Sequence, residues 1–311
     1  MKLIAIALAG LFAATSMAAA QEKLQVTYSG FLGVERLSGA GISYDYFYGD
    51  VDVGLRFSLS DDTKVGADVG FETIRFIDSS FGPNALTAKY AAAVLETRYG
   101  KLSIGMPRGV LDQYFAAPSF GGTELLGLEF SSVSLGTDLF RLLSMEADLA
   151  GANIYGIRYD GAFGKIGIGA SINRITAFDY NISQFVARYD GGNWTASLGT
   201  TVTDSTGFLV NATNLEVQGR RGKFSGGVLL SKANTDYVDT AVQAFASYDM
   251  TDQVKFTLQG LRVQYDAANS QDYWSVDMHY THPSGALVQA GLVKADTFNS
   301  NIVGLSVGYK F

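Results

Sequence analysis

Residues 46–59 read Tyr-Phe-Tyr-Gly-Asp-Val-Asp-Val-Gly-Leu-Arg-Phe-Ser-Leu, an alternation that holds almost without a break. Phe47, Val51, Val53, Leu55, Phe57 and Leu59 share one parity, while Tyr46, Tyr48, Asp50, Asp52, Arg56 and Ser58 share the other. Successive side chains of a strand point to opposite faces, so this period of two predicts an extended segment with one apolar and one polar surface. Crossing a bilayer takes about 9–11 tilted strand residues, and the run is long enough. It closes on Ser60-Asp61-Asp62-Thr63, a tight polar turn.

The same grammar repeats on both sides. Before it, Leu24, Val26, Tyr28, Leu32 and Val34 form one row, and after it Val65, Ala67, Val69 and Phe71 form the next. Further rows follow at Ala91 to Tyr99, Leu102 to Met106, Tyr155 to Tyr159 and Ile166 to Ile172. Beyond Phe185 they continue in pairs around short turns such as Asp190-Gly191-Gly192-Asn193 and His282-Pro283-Ser284-Gly285, up to Val303–Phe311. Sixteen segments result, about 18 residues each, of which roughly ten would lie in a membrane and eight in a connection. Tyr or Phe recurs beside the short turns, at Phe57, Tyr99, Tyr159, Tyr189, Tyr248 and Tyr280, as an interfacial aromatic girdle requires. The expected fold is all-β, an antiparallel transmembrane barrel of about sixteen strands spanning residues 21–311 as one domain.

Composition agrees. The 311 residues include 36 Gly and 13% aromatics, but only 4 Pro and 17% charged side chains, against about 25% charged in ordinary soluble domains. After residue 20 no apolar run is long enough for a spanning helix. Residues 1–20 are a separate object: Lys2, the apolar run Leu3 to Phe12 and Ala18-Ala19-Ala20 have the three parts of a secretory signal peptide, cleaved near Ala20. Acidic residues outnumber basic ones, 30 to 23, which argues against nucleic acid as a partner because phosphate contacts need a basic face. With Cys absent, neither disulfides nor thiolate metal sites arise. His279 and His282, three apart, face opposite ways on an extended chain and do not chelate jointly. The acceptor matches at Asn181, Asn193 and Asn211 are unremarkable in a chain rich in Asn, Ser and Thr. No metal or cofactor is expected.

The rhythm fails once, from Met106 to Ala152. An irregular connection beyond 12–15 residues is unusual and commonly functional. Gly109–Phe115 and Asp138–Ala147 carry apolar residues at helical spacing, including Leu139, Leu142 and Leu143, and the segment also holds Asp112, Glu124, Glu129, Asp138, Glu146 and Asp148. An apolar, acidic, partly helical insertion needs something to pack against. The expectation is that it folds into the barrel and narrows a pore.

At this point the chain resembles the general porins of the Gram-negative outer membrane. Val307-Gly308-Tyr309-Lys310-Phe311 looks like the porin closing strand. Leu95 to Gly105 is similar to the hairpin before the porin constriction loop, and Ile157-Arg158-Tyr159-Asp160 with Phe163-Gly164 to the hairpin after it. The resemblance implies a sixteen-stranded homotrimeric diffusion channel in the outer membrane, among lipid and lipopolysaccharide, with its third external loop in the lumen. Within that loop the acidic residues are spread out and interrupted by Leu, unlike a simple polar eyelet.

A sixteen-stranded barrel encloses water, and what lines its narrowest point sets selectivity. The expected eyelet opposes the loop carboxylates Glu124, Glu129 and Asp138 to the wall bases Arg56, Arg75 and Arg98, a transverse field that orders water and disfavours apolar solutes. Arg75 reaches the lumen only through a parity slip after Phe71. Arg36, Arg108, Arg158 and Arg188 are second choices. The expected function is passive diffusion of small hydrophilic solutes and ions. Three alternatives stand beside it: a substrate-specific channel with Tyr114, Phe115, Phe120 and Phe130 as a binding track, a barrel enzyme dependent on His279 or His282, and a structural or adhesive barrel.

Overall fold

The computed structural model describes residues 24–39, 41–77, 85–124, 126–127, 130, 139–176, 180–204, 210–234, 238–265, 269–295 and 301–311. Sixteen antiparallel strands close into a barrel, each hydrogen-bonded to its sequence neighbours. They are β1 (Leu24–Gly39), β2 (Ile42–Ser60), β3 (Thr63–Phe76), β4 (Ala85–Thr97), β5 (Gly100–Met106), β6 (Ile154–Phe163), β7 (Ile166–Ile175) and β8 (Tyr180–Asp190). The second half comprises β9 (Trp194–Asp204), β10 (Val210–Arg221), β11 (Phe224–Asn234), β12 (Thr240–Asp249), β13 (Val254–Gln264), β14 (Ser270–Thr281), β15 (Ala286–Ala295) and β16 (Ile302–Lys310). All sixteen coincide with the rows expected from alternation. Among the described residues no helix is long and apolar enough to cross a membrane.

Closure joins β1 to β16, with Leu32 opposite Tyr309 and Gly39 opposite Ile302. Past the last strand residue, the Gly30 amide donates to the Phe311 carbonyl and the Phe311 amide to the Gly30 carbonyl, both at 3.0 Å. A closed ring leaves no row of unpaired backbone groups, which hydrocarbon does not tolerate.

In β2 the apolar row points outward, with Phe57 and Leu59 exposed, while Tyr46 and Tyr48 are buried inside the barrel. The parity carries through the ladder. Asp50 opposes Glu72 in β3, and Asp52 opposes Gly70. Tyr or Phe side chains ring the short-turn end on the outside, among them Tyr99, Phe163, Tyr189 and Tyr248.

Two features make the lumen unusual. The inward positions near the loop end are apolar: Ile74, Ile154, Ile175, Ile182, Val263 and Val293 are nearly or fully buried there, joined with Phe120, Leu126, Phe140 and Met145 of the long loop into one core. Second, β5 is only 7 residues long, so the loop-end half of β4 lacks a strand on that side. A helix packs against β4 there. The loop contains α1 (Leu111–Tyr114) and this helix, α2 (Leu139–Leu149), both where helical spacing predicted them. At the end of α2, Gly151 adopts φ +67°. The Gly151 amide donates to Asp148 O and the Ala152 amide to Ala147 O, a left-handed cap that satisfies the last carbonyls. Expected residues Glu129 and Asp138 lie outside the described residues, as do residues 1–20.

Candidate functional site: the constriction

From β5 the loop runs round the inside of the wall, and inward polar side chains of successive strands hold its backbone. Arg158 of β6 donates from Nη1 to the carbonyls of Gly109, at 2.7 Å, and Arg108, at 3.2 Å. Gln184 of β8 accepts the Val110 amide at 3.1 Å. Ser197 of β9 donates to Tyr114 O at 2.7 Å, and the Tyr114 hydroxyl donates to Ile168 O at 2.5 Å. Burial first, then the nearby Asp160 carboxylate, push the Tyr114 phenol up to about 12.

The path continues with the carboxylate of Glu216 on β10, which accepts the amides of Ala116 and Ala117 at 3.0 and 2.8 Å. Gln243 of β12 donates to Pro118 O at 3.0 Å, and Gln259 of β13 to Ser119 O at 2.9 Å. Ser275 of β14 accepts the Gly121 amide at 3.3 Å. Glu35 of β1 accepts the Glu124 amide at 3.0 Å. Phe120 and Phe130 pack edge to face at 4.8 Å, and Phe130 meets Tyr273 of β14 in the same way at 4.9 Å. The described loop therefore forms a hoop against most of the circumference. Each anchor is a side chain on the inward parity of its strand, so the sheet alternation itself positions the hoop.

The wall left facing open space is that of β2 and β3, and it is acidic. The guanidinium of Arg108 lies against it: Nε is 2.9 Å from Asp52 Oδ1, Nη2 bonds Asp50 Oδ1, and Nη1 is 3.8 Å from Glu72 Oε2. The same group stacks over the Tyr90 ring at 4.2 Å. Arg141 of α2 pairs with Glu72 and donates to the Tyr48 hydroxyl at 2.9 Å. Glu72 is 1% exposed, so its charge is tolerated only because these two guanidiniums compensate it. Burial by itself lowers the Arg108 pKa, but Asp50, Tyr90, Asp52 and Glu72 together outweigh it and the net shift is upward.

Two cavities of about 350 Å³ each occupy the lumen. One is lined by Asp50, Glu72, Asp112, Arg141, Phe120 and Leu261 among others. The other lies towards the short turns, with Arg56, Asp68, Lys101 and Arg158 on its wall. Asp52, Arg108 and Gln113 line both. The passage between the cavities runs past the Arg108–Asp52 pair.

Of the expected eyelet residues that are described, Glu124, Arg56, Arg75 and Arg98 do not meet at one point. Arg56 does point inward, where it bonds Glu96 at 2.5 Å and Asp68 at 2.7 Å, in the cavity nearer the turns. Glu124 lies in the hoop beside Glu35. Arg75 is on the outside: β3 keeps an unbroken register from Phe71 to Arg75 against β2 and β4, so the parity slip it needed is absent. Arg98 sits in the β4–β5 turn with its guanidinium over Tyr99 at 4.7 Å, outside the lumen. Of the second choices, Arg158 and Arg188 hold the loop, and Arg36 faces outward beside Asp45. Among the described residues, the loop bases Arg108 and Arg141 face the wall acids Asp50, Asp52 and Glu72, where the expectation set loop acids against wall bases. Asp50 and Asp52 already stood on the inward row of residues 46–59, and that signal pointed to this wall. His279 is inward, 3.4 Å from Asp277, and His282 is in a turn bonded to Ser284. Among the described residues no cluster could hold a metal ion.

Comparison with known proteins gives a consistent picture. A family model described as Gram-negative porin matches residues 5–311. No curated protein matches the chain in sequence. Among solved structures, a double mutant of the Rh. blastica porin superposes with TM-score 0.70 at 13% identity, covering 92% of this chain and 100% of its own. A loop-deletion mutant of OmpT, an outer membrane protein of Vibrio cholerae, gives TM-score 0.68 at 15% identity over 93% of this chain and 100% of its own. Salmonella typhi OmpF, solved in complex with daunomycin, gives 0.69 at 10% identity over 94% and 99%.

Proposed function

The chain belongs to the Gram-negative porin family, and from that premise we propose that its pore is narrowed between the loop guanidiniums Arg108 and Arg141 and the wall carboxylates Asp50, Asp52 and Glu72. The protein is an outer-membrane channel for passive diffusion of solutes, and its family and fold indicate a channel rather than an enzyme. The observation that carries the constriction is that Arg108 borders both lumenal cavities. Arg56 contributes to the wall nearer the short turns, and Glu124 to the loop side. The cavity at the constriction is lined by four carboxylates, Asp50, Asp52, Glu72 and Asp112, against the guanidiniums of Arg108 and Arg141. Rings of acidic side chains favour cations, so small hydrophilic cations pass in preference to anions.

The test is single-channel conductance in a planar bilayer, with the reversal potential under a salt gradient. A reversal potential of cation-selective sign supports the assignment. An anion-selective sign overturns the constriction, and no conductance from folded protein overturns the channel.

We further propose a homotrimer, supported by the family resemblance, formed after residues 1–20 are removed near Ala20. Cross-linking to a three-chain species and an amino terminus at Gln21 are the corresponding readouts. Outer-membrane lipid and lipopolysaccharide surround the apolar exterior.

A further inference from the structure

The cavity on the loop side of the Arg108–Asp52 pair reaches across the lumen. Asp50 and Asp52 of β2 and Glu72 of β3 form one end of it, and Leu229 of β11 and Leu261 of β13 form the other. In a closed ring of sixteen strands β3 and β11 stand eight places apart, so the two ends lie on opposite walls. The space between them is about 350 Å³, a volume within the range of small-molecule sites.

The apolar end is assembled by packing within the barrel. Leu229 and Leu261 occupy inward parities, where the wall of a channel is ordinarily polar, and Phe115, Phe120 and Phe130 of the loop border the same space. Phe120, Phe130 and Leu261 belong to one buried core, and Phe115 to a second against which Leu229 packs. Leu229 itself is only half-buried, and its remaining surface gains by contact with an apolar solute. At the acidic end Arg108 engages each aspartate through Oδ1, yet the Asp50 and Asp52 side chains stay 33% and 45% exposed. With Asp112 of α1, four carboxylates on the lining face the two guanidiniums of Arg108 and Arg141, an excess of two negative charges.

We propose that this cavity binds organic ammonium ions with an aromatic body, which lie across the pore with the charge towards β2–β3 and the body against Leu229 and the loop phenylalanines. The inference deepens the reading of the Arg108–Asp52 passage as the constriction, and rests on it. Charge complementarity selects a cation over an anion of the same shape. The apolar end then holds an aromatic cation longer than a small hydrated one, which meets only the carboxylates and passes on. The loop phenyl rings serve both ends of such a solute, because a ring face also attracts a quaternary ammonium.

The test is block of the single-channel potassium chloride current in a planar bilayer by benzyltrimethylammonium. Tetramethylammonium is the cation without the aromatic body, and benzenesulfonate the aromatic anion. The expected result is saturable block by benzyltrimethylammonium, half-complete at a concentration about tenfold below that for tetramethylammonium, as burying part of one ring would give. Benzenesulfonate does not block over the same range. Leu229→Gln raises the half-blocking concentration about fourfold, the worth of one buried methylene group, and Leu229→Met keeps it near the wild-type value. Block is read as a fraction of each channel's own open current, so a change in channel size does not imitate it. Equal half-blocking concentrations for the two cations overturn the proposal, as does block by benzenesulfonate of the same strength or a Leu229→Gln channel blocked like the wild type. The reversal potential in a salt gradient reports the constriction separately. A cation-selective channel without preferential block defeats this inference alone, whereas an anion-selective one defeats the constriction beneath it.

Discussion

Gly121 of the loop and Gly291 of β15 are pressed so closely that a β-carbon on Gly291 would lie 1.7 Å from the Gly121 carbonyl oxygen. No relaxation of a flexible side chain relieves such a clash, since the oxygen is a backbone atom and the position of the β-carbon is fixed by the strand backbone. Gly121 also has φ +84°, a conformation that other residues adopt at a cost.

Gly291→Val is therefore expected to push the hoop off the β14–β16 wall. The expected outcome is a narrower or flickering channel and a lower thermal midpoint of the folded barrel. A variant that conducts like the wild type with the same midpoint sinks the contact as a structural constraint.

Glu216 holds two loop amides through one carboxylate. Removing the partner of a buried donor costs about 1–3 kcal/mol for each group left unsatisfied. Glu216→Ala is expected to leave the Ala116 and Ala117 amides without this acceptor, so that the loop loosens and open-channel noise rises while the barrel still forms. Open-channel noise at the wild-type level contradicts the anchoring role.

Arg108→Met removes the guanidinium from between Asp50 and Asp52 but keeps much of the side-chain bulk. Uncompensated carboxylates then line the passage. The expected result is a reversal potential shifted further towards ideal cation selectivity; an unchanged value excludes Arg108 from the narrowest point. Because its pKa is raised, the guanidinium stays charged throughout the range in which the barrel is handled, and any pH dependence of selectivity between pH 4 and 9 arises from the other groups.

Tyr114 offers a pH test of the hoop itself. Its phenol is held up to about 12 from an unperturbed value of about 10. For a raised acid the folded state favours the neutral form, so the stabilisation is complete below about pH 10 and is lost as pH climbs through the folded value. A phenolate absorbance titration is expected to show one late step that Tyr114→Phe lacks. If the two profiles superimpose, Tyr114 is not held neutral by the fold.

Much of the fold was written in the period of two. Each strand touches lipid on one face, so rows such as Phe47 to Leu59 had to be apolar without interruption, and the count of sixteen follows from the rows. The constriction was less legible for definite reasons. Arg75 and Arg98 are basic residues near the right strands, but a single step of parity or one turn position moves a side chain out of the lumen. Arg108 and Arg141 lie in the irregular stretch, where no period gives direction. The anchors Gln184, Glu216, Gln243 and Gln259 had only parity to mark them, and parity does not distinguish a side chain that touches water from one that touches a loop. One signal was present: Ile74, Ile154, Ile175 and Val293 put apolar side chains on the water-facing parity, and such residues line a lumen only where protein fills it.

The hoop also bears on the mechanics of the wall. A thin cylinder under lateral load yields first by flattening into an ellipse, which requires opposite staves to approach while the others spread. Here the staves β6, β8, β9, β10, β12, β13, β14 and β1 are tied to one inner rim by bonds of 2.7–3.3 Å. Flattening would shear several of those ties together, so the rim acts as a bulkhead that keeps the cross-section round under membrane tension.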